Sequence, residues 1–166
     1  QLKVSPRAQL WLLKHYGPEL AEITETETMA GEAEQPYRAG VPFYNEPVSA
    51  ALLQQVQTRA EPAFWLKGGL FPGATFGALA GAEYPFQDTE PGDFLVFRET
   101  PVTGVDAQVP YLAYTINNTL YTGYFNLHPE AGPVFHCTPI AENPPATLAL
   151  NSIARLYRLC GVVKRF

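Results

Sequence analysis

Positive charge is scarce through the middle of this chain: between Gly68 and Ala154 the only lysine or arginine is Arg98. Over all 166 residues the formal net charge is −5. A chain without basic clusters lacks the footprint that nucleic acid or an anionic bilayer surface requires, so neither is expected as a partner. Cysteine is nearly absent as well. Cys137 and Cys160 are the only two, which is no disulfide framework, and the expectation is free thiols in a reducing, cytoplasmic compartment. There is no Cys-x-x-Cys, and His15, His128 and His136 lie far apart, so no metal spacing is present. No glycine-rich phosphate loop leads from a strand into a helix, and no cofactor is expected. No apolar run approaches the roughly 20 residues that span a bilayer.

What is present describes a globular domain, with 46% hydrophobic and 16% charged residues. Ser5-Pro6 and the following RAQLWLLKHYG predict a short helix that stops at Gly17. ITETETMAGEAEQ is acidic, without aromatics or apolar period, and reads as a solvated linker. These make residues 1–41 a flank and residues 42–166 the domain. PVSAALLQQVQTRA, Pro47 to Ala60, predicts the best helix, opened by Pro47 with Leu52, Val56 and Ala60 at i+4 spacing. Residues 61–92 are rich in Gly, Pro and aromatics and read as packed but irregular.

Strands follow. FLVFRET, VPYLAYTI, TLYTGYFNL and PVFHCTPI are apolar, β-branched and aromatic runs. Asn117-Asn118 predicts a two-residue hairpin turn, and the triplet with Thr119, which fits a glycosylation sequon, is read as that turn. ATLALNSIARLYRLCG predicts a closing helix, its Leu150, Ile153, Leu156 and Leu159 at helical spacing before Gly161. Two helices beside a small antiparallel sheet make an α+β layered fold. His136 and Cys137 are adjacent and would face opposite sides of a strand, so they do not form a base–nucleophile pair. No catalytic residue is assigned.

Arg98 ends the most apolar strand. A guanidinium there either pairs with a carboxylate such as Glu99, Glu90 or Asp93, emerges into water, or waits for an external anion. Arg suits the last role because its planar fork can bond two oxygens of one phosphate. The amides of Glu99 and Thr100 and the Thr100 hydroxyl would add donors.

The strand GDFLVFRET, followed by YLAYTI, YTGYFNL and LALNSIARLYRLCGVV, resembles the phosphate-binding strand, central strands and second helix of an SH2 domain. The resemblance covers roughly residues 42–166 and implies a sheet flanked by two helices. It also implies a non-catalytic adaptor that binds a tyrosine-phosphorylated peptide or protein, with Arg98 gripping the phosphate. Phe97 is an extra residue relative to the family strand. Aligning Leu95-Val96-Phe97 with its F-L-V puts Arg98 in the pocket; the other register puts Phe97 there, and a bulge would absorb the difference. The supporting cations of the family are missing: the helix position falls near Ala50, and the later strand offers Thr122, Tyr124 and Asn126. Thr122 and Tyr124 join Arg98, Glu99 and Thr100 as the expected phosphotyrosine-binding residues. The alternative is an α+β interaction domain that does not read phosphate.

Overall fold

In the computed structural model, which describes residues 40–67, 71–127, 132–140 and 145–164, nearly every apolar run becomes a strand. In chain order these are β1 (Gly40–Pro47), α1 (Ala50–Gln57), β2 (Phe64–Lys67), β3 (Phe76–Leu79), β4 (Phe94–Glu99), β5 (Pro110–Thr115), β6 (Leu120–Leu127), β7 (Val134–Pro139), β8 (Ala146–Ala149) and β9 (Ile153–Val163). They form one nine-stranded sheet in the order β2-β1-β3-β4-β9-β5-β6-β7-β8. Only β1 and β3 run parallel; every other neighbouring pair is antiparallel. The expected SH2-like α+β fold with two flanking helices is therefore overturned: the described residues hold a large mixed sheet and one α-helix.

The expected closing helix is where that reading fails. Residues 146–163 instead form β8, a single 3-10 turn at Leu150–Ser152, and β9 in the middle of the sheet. A central strand is covered on both faces, so its apolar residues need not alternate, and a buried strand can mimic helical spacing. Leu156 enters one core cluster and Tyr157 the other, which only extended backbone allows for neighbours in sequence. The helix expected from Pro47 does form, but it begins at Ala50; Pro47 ends β1. Ser49 caps it, its Oγ accepting the Leu52 amide at 3.1 Å. The segment expected to be irregular contributes β2 and β3. The helix expected at 5–17 and the acidic segment lie outside the described residues.

The sheet has a core on each face. On the helix side, Leu52 and Leu53 of α1 pack with Phe76, Leu95, Phe97, Leu112, Tyr114 and Tyr157. On the other side, Tyr111, Ala113, Phe125, Phe135, Cys137, Leu148 and Leu156 form a second cluster, closed by Val102, Val105 and Val109 of the loop after β4. The β5–β6 hairpin turns as expected but by a different geometry. Asn118 alone has positive φ, at 59°, and the Asn118 amide donates to the Thr115 carbonyl at 3.0 Å. This is a type I turn closed by a left-handed residue rather than a two-residue turn. Among the described residues no helix is long and apolar enough to cross a membrane.

Candidate functional site

Register decides which expected site residues can meet, because residues directly opposite in a sheet share a face. One row runs Glu99, Tyr157, Leu112, Thr122 across β4, β9, β5 and β6. Tyr157 and Leu112 belong to the helix-side core, so Glu99 and Thr122 lie on that face. Tyr124, two residues on, shares it, and its hydroxyl donates to Gln87 Oε1 at 2.8 Å. The next row runs Arg98, Arg158, Tyr111, Gly123. Tyr111 belongs to the second cluster, so Arg98 faces away from Thr122, Tyr124 and Glu99. The expected five-residue constellation is not brought together.

β4 itself carries no bulge that would absorb Phe97: Val96 pairs with Gly161 and Phe97 with Leu159, so the unpaired extra residue is Cys160, on β9. Phe97 follows Leu95 by two residues along β4 and so lies in the helix-side core, fully buried. The backbone donors expected at the pocket are already engaged. The Glu99 amide donates to Thr75 Oγ1 at 2.7 Å, and the Thr100 amide to the Leu156 carbonyl at 2.9 Å. The Glu99 carboxylate accepts from Arg155 Nη1 at 2.5 Å. Both partners of that pair are about half exposed, so its contribution is small, roughly 0–1 kcal/mol.

Arg98 has company of another kind. Directly across the β4–β9 ladder from it stands Arg158. Opposite residues hold their Cβ atoms about 5 Å apart, and like charges there destabilise. The cost of such a cross-strand like-charge pair is roughly 0.2–1 kcal/mol. Among the described residues neither has a carboxylate within ion-pair distance. Asp93, an expected partner for Arg98, is buried elsewhere and paired with Lys164 at 3.1 Å. Both arginine charges reach the Cys160 thiol: burial pushes it up, and Arg98 and Arg158 oppose that rise.

A turn lies over Arg98. Phe71-Pro72-Gly73-Ala74 closes with the Ala74 amide donating to the Phe71 carbonyl at 3.1 Å, and Gly73 has φ +74°. Pro followed by a left-handed Gly is the type II arrangement. Arg98 Nη2 donates to the Pro72 carbonyl. Arg98 Nε is buried with no acceptor, and it lies 3.4 Å from where a Cβ on Gly73 would stand. The Phe71 ring covers Gly161, occupying the space that a side chain at 161 would need.

Sequence reasoning missed Arg158 because a helix over 146–161 scattered its charge onto a solvated face; reading 153–163 as a strand would have set it opposite Arg98. It also passed over the turn, although FPGA carries its signal. Cys137 and His136 do face opposite ways. Cys137 is buried in the second cluster, its thiol pushed up to about 11 by that burial. Comparison with family models, with curated proteins and with solved structures returns no match for this chain.

Proposed function

We propose that this domain is a non-catalytic binding module that takes an anionic, phosphoryl-bearing group of a partner protein at Arg98 and Arg158. The observation that carries the reading is the cross-strand arginine pair with no carboxylate, among the described residues, in ion-pair contact with either member. A dianion placed there turns mutual repulsion into two charge-assisted attractions, and each guanidinium can bond it through a fork. The buried, unsatisfied Nε of Arg98 adds to the incentive, since an orphaned donor costs about 1–3 kcal/mol that an acceptor would recover. Phosphotyrosine is the form to test first, because a phosphate monoester is a dianion with three acceptor oxygens, enough to meet both guanidinium forks. This reading draws nothing from an SH2 architecture. A cytoplasmic setting fits the two free thiols.

The contact between Arg98 and the Pro72 carbonyl favours a second reading, in which Arg98 only clamps the turn and the domain binds its partner without phosphate. Titration of phosphorylated and unphosphorylated tyrosine peptides separates the two. The binding reading expects preference for the phosphorylated form and a loss of about tenfold or more in Arg158→Ala. Equal binding of both peptide forms by the wild type would leave the clamp as the sole role of Arg98.

A further inference from the structure

Arg98 is engaged through Nη2 and idle through Nε, and both conditions come from the same turn. We infer that the Phe71–Ala74 turn is a clasp that occupies Arg98 in the free protein, so that anion binding is coupled to its release. This rests on the reading of Arg98 and Arg158 as an anion site. The Pro72 carbonyl is a neutral acceptor, and a phosphoryl oxygen is the stronger one for a guanidinium. The exchange is therefore favourable once the anion also engages Arg158. The clasp is anchored unequally. Its exit is bolted to the sheet, the Thr75 amide donating to the Phe97 carbonyl at 2.7 Å and Thr75 Oγ1 accepting the Glu99 amide. At its other end Phe71 packs on Gly161, and among the described residues no backbone bond joins Phe71 to the sheet. Opening would pivot at Thr75, lift the Pro72 carbonyl off Nη2 and uncover Nε.

Loosening the clasp should then tighten binding. Pro72→Ala frees the turn in its open state, and Gly73→Ala strains the closed one, whose φ of +74° suits glycine. The full chain is titrated by calorimetry with phenyl phosphate and, separately, with inorganic phosphate. The Arg98 Nε–H and Gly73 amide resonances are followed in the same samples. Affinity should rise about two- to five-fold in Pro72→Ala and by about five-fold or more in Gly73→Ala, with both resonances moving on saturation. Binding that Arg158→Ala abolishes, but that the turn variants leave equal or weaker, overturns the clasp and leaves the anion site standing. Absence of saturable binding in the wild type and in both turn variants overturns the clasp together with the site.

Discussion

Arg98 and Arg158 differ in what their removal does to stability, although both belong to one site. Arg98→Ala loses the bond to the Pro72 carbonyl and unpins the turn, but it also relieves the repulsion and removes the orphaned Nε, so the net change in urea unfolding should stay within about 1 kcal/mol. Arg158→Ala only relieves repulsion, and stability should hold or rise by about 0.5 kcal/mol. A second residue-scale expectation concerns alkaline pH. Burial, with the Glu99 carboxylate assisting, pushes the Tyr157 phenol up to about 12 from its ordinary 10, and burial pushes Cys137 up to about 11 from 9. The folded state holds both protons more tightly than the unfolded chain. Stability is thus unaffected below about pH 9 and falls as pH rises from there to about 12, the range in which the unfolded chain ionises first. Cys137→Ala with Tyr157→Phe should flatten that decline, read as unfolding midpoint against pH. At Gly77 an added Cβ would sit 2.4 Å from the Phe43 ring, so Gly77→Ala should cost about 1–3 kcal/mol through overpacking.

Among the elements, α1 depends on its cap: Ser49→Ala should lower stability by about 1 kcal/mol in chemical denaturation. This helix and β4 to β7 were legible in the sequence because each is a local event. Ser49 precedes an Ala-Leu-Gln run, and the strand runs from 94 to 139 carry β-branched and aromatic residues between turn signals. β2 and β3 were not legible, since four residues such as FGAL carry no period, and Gly77 reads as a breaker until Phe43 is seen lying over it. β9 was misread for a non-local reason. Its pattern reflects two cores and two neighbours, β4 and β5, that are remote in sequence. The candidate site inherited this error. Arg98 was visible as an isolated charge, but its partner depended on a register that only the folded sheet sets.

At the level of the whole molecule, β5 and β9 each contribute to both cores, so the two clusters cannot melt independently. Phe97→Leu on one face and Phe125→Leu on the other should lower the same single unfolding transition, monitored by circular dichroism and tyrosine fluorescence together. Two separated transitions would show the cores to be distinct units. The central placement of β9 has a further consequence, for synthesis. β4 and β5 are neighbours in the chain but not in the sheet; each waits for the strand that the ribosome delivers last among those described. Until residues 153–163 emerge, the nascent chain carries two bare strand margins that can recruit each other or another chain. A polypeptide halted before Ile153 would not be a shortened version of this protein but two half-sheets with no seam, a natural client for chaperones.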